Sequence, residues 1–125
     1  MRLLPLTALL TLACQSPTAP SPGKPFVMAV GDVVAVGGTD LSIVFRDVSD
    51  SRCPRKVMCF WAGEARVALI LRTSSGSDTV DVPVPSSSQA GAWRADALEI
   101  TPYPEDPTPI PRDQYRLTLR VVPAP

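Results

Sequence analysis

Cys53 and Cys59 are the residues of this sequence whose type and spacing most directly suggest chemistry. Five residues lie between them. A disulfide would close a small loop there, and a loop of this length contributes about 2 kcal/mol to stability. Two thiolates could also begin a zinc or copper site, but such sites use more ligands and commonly include histidine. The chain contains no histidine, and we therefore predict a disulfide and no metal site.

Calcium is another conceivable ligand, through the carboxylates of Asp47 and Asp50. Calcium takes about six to eight oxygen ligands, and no residues near this pair complete that number. We expect both acids to lie in a turn, with Asp50 forming an ion pair with Arg52. The sequence therefore predicts a structural role for these two carboxylates.

Catalysis needs a nucleophile with a base, and the chain offers poor candidates for both. The serine run at 86–88 has no histidine to activate it, and the only lysines are Lys24 and Lys56. Glu105 and Asp106 are adjacent in a proline-rich segment, whereas acid–base catalysis needs carboxylates that face each other across a substrate. We therefore predict a protein that is not an enzyme and that needs no cofactor.

The segment 50–65 around the two cysteines supports two interpretations. It could form a binding surface, together with the nearby proline-rich loop, because loops on a rigid scaffold commonly carry recognition. The candidate contact residues are Arg52, Arg55, Lys56 and Trp61. Alternatively it is a structural staple, in which Asp50 and Arg52 fix a turn and Trp61 packs beneath the disulfide. Gly63 is expected to permit a bulge or a close backbone approach, and we favour the staple for these residues.

Arg55 and Lys56 also allow a protease-inhibitor interpretation. A disulfide-closed loop that presents basic residues could enter the cleft of a trypsin-like serine protease as a preorganised mimic of a substrate. The simpler explanation is that both side chains are solvated at the tip of a loop. Inhibition is therefore kept as the alternative function.

The overall composition excludes some classes of partner and of fold. Twelve Lys and Arg residues balance twelve Asp and Glu residues, so no net charge attracts nucleic acid or anionic lipid. The 125 residues suffice for one compact domain. Fifteen prolines, concentrated at 17–25 and 102–111, disfavour a mainly helical protein because proline breaks helices.

Residues 1–13 have the features of a secretory signal peptide. A basic residue precedes a leucine-rich run that is too short for a membrane-spanning helix, which needs about 20 residues. The end of this leader resembles the bacterial lipobox, although Thr11 stands where that motif prefers leucine. The resemblance implies that Cys14 carries lipid and becomes the first residue. Cys53 and Cys59 then remain as a pair in an oxidising compartment, where a disulfide is expected.

Residues 14–25 form a predicted tether. Their proline-rich sequence has no apolar period, and such a stretch is extended, spanning about 30 Å at roughly 3.1 Å per residue. Gln15 differs from the aspartate that resembles an inner-membrane retention signal. The predicted location is therefore the membrane surface of the cell envelope, and the outer membrane where the cell has one.

From residue 26 onward the hydrophobic pattern has a period of two, which is typical of half-buried β-strands. The predicted strands are 26–30, 33–36, 41–46, 64–72, 79–84, 93–95, 97–101 and 115–121, with 86–91 as a polar loop. The apolar residues that share one face of the two clearest strands are Ala65, Val67, Leu69 and Leu71, and Tyr115, Leu117, Leu119 and Val121. Glycine, proline and serine turns separate the strands, and no helix is predicted. We predict one all-β domain at 26–125, a small antiparallel β-sandwich of seven or eight short strands with one disulfide loop.

The segment 50–65 also contains a distinctive motif. It reads Asp-Ser-Arg-Cys-Pro, a variable stretch, Cys, one residue, Trp-Ala-Gly, one residue and Ala. Its members are Asp50, Ser51, Arg52, Cys53, Pro54, Cys59, Trp61, Ala62, Gly63 and Ala65. This motif resembles that of an uncharacterised family of small bacterial secreted proteins and lipoproteins. Segments 26–31, 102–104 and 115–117 are also similar to that family, and the resemblance implies no particular activity.

These features predict a cell-envelope lipoprotein that acts as a non-catalytic binding or structural module on the membrane surface. The alternative is an inhibitor of an extracytoplasmic serine protease that presents the loop between Cys53 and Cys59. The expected partners are the membrane, through the N-terminal lipid, and another envelope protein or a cell-wall polymer. Nucleic acid is not an expected partner.

Overall fold

A computed structural model of the protein describes residues 19–125. The predicted signal peptide, Cys14 and residues 15–18 of the predicted tether lie outside the described residues. In the described part the chain forms eight strands and one short 3₁₀ turn at Arg112–Gln114, which confirms the all-β prediction. A helix with the length and apolar character needed to cross a bilayer does not occur in residues 19–125.

The strands form two antiparallel sheets of four strands each. In chain order the strands are β1 (Phe26–Ala29), β2 (Val33–Ala35), β3 (Ser42–Asp50), β4 (Ala65–Thr73), β5 (Gly76–Val84), β6 (Ser86–Ala90), β7 (Trp93–Thr101) and β8 (Arg116–Pro123). One sheet has the order β1-β8-β7-β6, and the other has the order β2-β3-β4-β5. Both sheets contribute to one hydrophobic core, so the predicted β-sandwich is confirmed.

The core forms because apolar residues alternate along the strands. The side chains predicted to share one face of β4 and of β8 are all buried. The buried residues of these strands are Ala65, Val67, Leu69 and Leu71 on β4, and Leu117, Leu119 and Val121 on β8. Burial of a large aliphatic side chain contributes about 2 kcal/mol. The apolar residues that recur with the predicted period of two are therefore the buried residues that contribute most to stability.

β6 is the main difference between the predicted and the observed strands. The prediction of a polar loop at 86–91 is wrong, because Ser86–Ala90 forms an edge strand that pairs with β7. The serine run carries no hydrophobic alternation, and its strand conformation comes from pairing with a neighbouring strand. The two short strands predicted at 93–95 and 97–101 are a single strand, β7, with a register shift in its pairing with β8.

The sandwich has two poles, which are defined by the ends of its strands. Ser42 at the start of β3 pairs with Arg72 at one end, here called the N-terminal pole. Asp50 at the end of β3 pairs with Ala65 at the other end, here called the cystine pole. β3 and β4 have nine residues each, so the two poles lie about 30 Å apart at roughly 3.3 Å per residue.

The residues just before β1 contact the N-terminal pole. The carbonyl of Pro20 accepts a hydrogen bond from the N–H of Gly37 (2.8 Å), in the turn between β2 and β3. The N–H of Gly23 donates to the carbonyl of Val121 near the end of β8 (2.8 Å). The last residues of the predicted tether are therefore held against the folded domain.

Asp96 is a buried carboxylate on the side of β7 that faces away from the core. Its oxygens accept hydrogen bonds from Ser87 Oγ (2.7 Å), Arg94 Nε (2.9 Å) and Arg120 Nη2 (3.0 Å). Burial by itself raises the pKa of this carboxyl, but the hydrogen bonds from the three partners outweigh it and lower the pKa to about 2. Three strands are thus joined by one ionised group.

Replacement of Asp96 by asparagine should remove an acid-sensitive part of the stability. Because the pKa in the folded protein lies below the ordinary 3.8, ionised Asp96 stabilises the fold above about pH 4, by about 2 kcal/mol. This contribution disappears as the pH falls towards 2. Urea unfolding at a series of pH values should show Asp96→Asn to be less stable than wild type at neutral pH, and equally stable near pH 2. A gap of the same size at both pH values would contradict this account.

Candidate functional site

The cystine loop, defined as residues 51–64, joins β3 to β4 at the cystine pole. Cys53 and Cys59 form a disulfide with their Cα atoms 5.9 Å apart, which confirms the predicted bridge. The N–H of Ser51 donates to the carbonyl of Glu64 (2.8 Å). The stem of the loop thus continues the pairing of β3 with β4, and the bridge closes the part beyond the stem.

Gly63 allows the two sides of the stem to approach closely. Its φ angle is +65°, in the left-handed region that favours glycine. A Cβ atom at this position would lie 1.8 Å from the carbonyl oxygen of Ser51. Beside it, the N–H of Cys53 donates to the carbonyl of Ala62 (2.9 Å). The predicted close backbone approach is confirmed.

Asp50 is the centre of a polar cluster beneath the cystine loop. Its carboxylate oxygens accept hydrogen bonds from Nε and Nη2 of Arg52 (both 2.8 Å) and from the hydroxyl of Tyr115 (2.8 Å). The side chains of Asp50 and Arg52 are each only 11% exposed. The predicted ion pair is confirmed, but the turn predicted for Asp47 and Asp50 is wrong, because both lie on β3, whose pairing with β4 continues to Asp50.

Burial and hydrogen bonding together fix the protonation states in this cluster. Burial disfavours the ionised form of Asp50, but hydrogen bonds from Arg52 and Tyr115 outweigh it and lower the pKa of Asp50. The hydrogen bond to Asp50 raises the pKa of Arg52 despite burial. Burial, followed by the hydrogen bond to Asp50, raises the pKa of Tyr115 to about 12. All three groups therefore keep one charge state around neutral pH.

Arg52 extends the polar cluster to the other sheet. Its Nη1 donates to the carbonyl of Ile100 on β7 (3.2 Å), and its Nη2 donates to the carbonyl of Pro102 (2.8 Å). Its guanidinium carbon lies 5.0 Å from the centroid of the Tyr103 ring, within cation–π range. Contacts within the fold therefore occupy this predicted surface residue.

Tyr103 joins the proline-rich segment 102–111 to the cystine loop. Its hydroxyl donates to the carbonyl of Cys53 (2.7 Å). The guanidinium carbon of Arg55 lies 4.9 Å from the centroid of the same ring. Tyr103 is thus an anchor of the site; the sequence analysis included it only in the family-like segment 102–104 and predicted no contact for it.

The backbone of the loop is also paired with the proline-rich segment. The N–H of Arg55 donates to the carbonyl of Pro104 (3.1 Å), and the N–H of Lys56 donates to that of Glu105 (3.0 Å). The carboxylate of Glu105 forms an ion pair with the side chain of Arg55. Both N–H groups and one of the two cationic side chains are therefore used inside the protein.

Residues 57–61, here called the cystine tip, extend beyond these contacts. The prediction that Trp61 packs beneath the disulfide is wrong, because its side chain is 85% exposed. The residue that contacts the base of the loop is Tyr103, from a distant part of the chain, through the hydrogen bond of its hydroxyl to the carbonyl of Cys53. The exposed apolar side chains of the cystine tip are Val57, Met58, Phe60 and Trp61.

The other candidate chemical residues serve structural contacts. The carboxylate of Asp47 forms an ion pair with Arg112, with Oδ1 and Nη2 3.3 Å apart. The hydroxyl of Ser87 donates a hydrogen bond to Asp96. The carboxylate of Asp106 accepts a hydrogen bond from a backbone N–H of its own loop. A group of three or more cysteine, aspartate or glutamate residues that could hold a metal ion is not found in residues 19–125. These contacts give no support to the calcium-binding hypothesis or to the catalytic one.

Comparison with known proteins does not assign the chain to a group. No family model, curated protein or solved structure matches it. The resemblance to the family of bacterial secreted proteins and lipoproteins therefore stays a prediction, carried by the motif in segment 50–65.

Proposed function

We propose that the protein is a lipid-anchored module of the bacterial cell envelope with a non-catalytic binding or structural role. The signal-peptide pattern at 1–13 and the lipobox-like end at Cys14 support the location. The bridge between Cys53 and Cys59 also supports it, because disulfides persist in oxidising compartments outside the cytosol. Cys14 then accounts for the third cysteine of the chain.

The observation that carries a binding role is the contrast between polar and apolar groups at the cystine pole. Asp50, Arg52 and Tyr115 are engaged with one another and with the backbone. No buried side-chain nitrogen or oxygen atom in the described part of the chain lacks a hydrogen-bond partner. In contrast, the apolar side chains of the cystine tip, Phe60 and Trp61 among them, are open to solvent. A rigid polar base with an exposed apolar end is better suited to binding another molecule than to catalysis.

The inhibitor alternative is less well supported. A substrate-like loop needs a free basic side chain and free backbone groups to pair with the protease cleft. Arg55 forms an ion pair with Glu105 and lies over the ring of Tyr103. The N–H groups of Arg55 and Lys56 are already bonded to residues of the proline-rich segment. A trypsin inhibition assay of wild type against an Arg55→Ala, Lys56→Ala double variant tests this alternative directly.

Lipidation at Cys14 is the testable core of the proposed location. Cells fed an alkyne analogue of palmitate should attach it to the wild-type chain, and Cys14→Ser should lose essentially all of the label because the acylated thiol is gone. The wild-type chain should also sediment with membranes. Cys53→Ser is the matched control, since it removes a cysteine of the disulfide and should keep the label. Equal labelling of Cys14→Ser and wild type would overturn the proposed anchor.

A further inference from the structure

A cleft opens between the two sheets at the N-terminal pole, at the opposite end of the sandwich from the cystine loop. It has a volume of about 340 Å³ and lies between the β4–β5 hairpin of one sheet and the β6–β7 turn of the other. Residues 75–78 and 90–93 line it, together with Asp40, Leu71 and Thr73. Pockets that bind small molecules have volumes of about 300 to 1,000 Å³, so this cleft, here called the pole cleft, is large enough for a small ligand.

Three strands continue past the apolar core and place inward-facing side chains in the pole cleft. Alternate residues of a strand point to the same face of its sheet. Asp78 therefore shares the inner face of β5 with the buried Val82, and Trp93 shares the inner face of β7 with the buried Ala95. Thr73 ends the inner face of β4. At this pole the inner faces of the sandwich thus end in a carboxylate, an indole and a hydroxyl.

Trp93 is the aromatic residue of this lining. Its side chain packs against the core but is only partly buried. It pairs across the β6–β7 turn with Ala90, whose side chain is small. An indole has a broad apolar surface and a single N–H donor, and the part of Trp93 that the core does not cover is available to a ligand in the cleft.

The polar groups of the cleft combine a fixed rim with an open acceptor. At the rim, the carboxylate of Asp40 accepts hydrogen bonds from the N–H (2.9 Å) and the hydroxyl (2.6 Å) of Ser74. These bonds join the turn between β2 and β3 to the β4–β5 hairpin, so the rim is formed before a ligand binds and little ordering cost remains. The carboxylate of Asp78 is exposed, and none of the ion pairs formed within residues 19–125 uses it.

This lining indicates the chemistry of the ligand. None of the described residues that line the cleft is a lysine or an arginine, so an anionic ligand would meet carboxylates without a compensating charge. Leu71 is only 3% exposed, and the cleft therefore offers little apolar surface besides Trp93. Carboxylates and hydroxyls are complementary to a ligand with several hydroxyl groups, and an indole is complementary to one with an apolar face. A neutral sugar ring has both features.

We propose that the pole cleft binds a neutral pyranose unit of a glycan. The sugar ring stacks on Trp93, and its hydroxyl groups form hydrogen bonds with Asp78 and Thr73. A cationic ammonium ligand would also be attracted by Asp78 and by the indole, but it would not use the hydroxyl groups of the lining. This proposal depends neither on the lipid anchor nor on a role of the cystine tip, because the cleft lies at the other pole.

The test is isothermal titration calorimetry of the full-length chain in a detergent without a sugar headgroup. The probes are four neutral tetrasaccharides: tetra-N-acetylchitotetraose, cellotetraose, maltotetraose and mannotetraose. We expect at least one of them to bind saturably, with one site per chain. The tetrasaccharide that binds most tightly identifies the kind of glycan, and it is the probe for the variants.

Asp78→Ala should bind this probe at least tenfold more weakly than wild type, because the substitution removes a charged hydrogen-bond acceptor. Asp81→Ala is the matched control. Asp81 lies on the same strand but on its opposite face, where its 63% exposed side chain pairs with Arg66, and this variant should bind like wild type. Both variants should unfold at nearly the same urea concentration as wild type, since both carboxylates are exposed.

Trp93 provides a direct optical signal of sugar binding. The chain has two tryptophans, Trp61 and Trp93, so all tryptophan emission of a Trp61→Phe variant comes from Trp93. The bound tetrasaccharide should shift this emission to shorter wavelength and reduce its quenching by acrylamide, because the sugar ring covers the indole.

Several results would overturn the sugar-binding proposal. They are the absence of saturable binding by all four tetrasaccharides, equal affinity of Asp78→Ala and wild type, and sugar binding that leaves the emission of Trp93 unchanged. A response of Trp93 to choline chloride, with no response to any of the sugars, would also overturn it and would assign the cleft to a cationic ligand.

Discussion

Gly63→Ala should lower the free energy of unfolding of the domain by about 3 to 5 kcal/mol, from left-handed backbone strain and lost hydrogen bonds. A Cβ at this position would lie 1.8 Å from the carbonyl oxygen of Ser51 and 2.6 Å from its carbonyl carbon. Since backbone atoms cannot rotate away as a side chain can, the two sides of the stem must separate. Their separation breaks the hydrogen bonds from Ser51 to Glu64 and from Cys53 to Ala62.

Gly91→Ala is the matched control for this prediction. Gly91 also has a positive φ, +56°, but a Cβ there meets nothing within 4 Å. Only the left-handed strain remains, and it costs about 1 to 2 kcal/mol. Urea unfolding followed by tryptophan fluorescence measures both variants. If the two substitutions cost the same, the clash with Ser51 is not what makes glycine necessary at position 63.

The strands could be predicted where the buried face alternates with an exposed one. β4 and β8 each place apolar residues at every second position, and those residues are the buried ones. β6 has no such alternation, since Ser86–Ala90 is a polar edge strand whose conformation comes from pairing with β7. Pairing of this kind depends on a neighbouring strand, which a period within one segment does not reveal.

The site could be predicted only as far as its contacts are local in the sequence. The disulfide, the ion pair of Asp50 with Arg52 and the close approach at Gly63 all lie within one short segment. Tyr103 lies 50 residues from Cys53, to whose carbonyl its hydroxyl donates; the sequence suggested that the proline-rich loop is near the cystine loop, but it did not indicate this contact. The position predicted for Trp61 beneath the disulfide is wrong, because its side chain is 85% exposed.

Asp50→Ala should cost about 3 kcal/mol, the amount typical of removing one partner from a buried ion pair. Arg52, whose side chain is 11% exposed, would keep its charge and lose its counterion. It would retain only the carbonyls of Ile100 and Pro102 as acceptors. The Tyr115 hydroxyl would lose its acceptor as well. Urea unfolding of Asp50→Ala, Arg52→Ala and the double variant should give a coupling energy of about 2 kcal/mol between the two residues.

Asp47→Ala is the control that separates burial from charge. Asp47 lies on the same strand and near Arg112, but its side chain is 61% exposed, and an exposed pair contributes about 0 to 1 kcal/mol. A similar cost for the two aspartates would therefore contradict the account of Asp50.

Titration of Tyr115 gives an independent check on the same cluster. Burial, then the hydrogen bond and the charge of Asp50, hold its pKa at about 12, above the ordinary 10.0. This contribution to stability is therefore complete below about pH 10 and is lost as the pH rises towards 12. In Asp50→Ala the ultraviolet absorbance of Tyr115 phenolate should appear at lower pH, because only burial still raises the pKa. An unchanged titration would mean that burial alone sets the pKa of Tyr115, and that the carboxylate of Asp50 at the end of β3 has no measurable effect on the hydroxyl to which it is hydrogen-bonded.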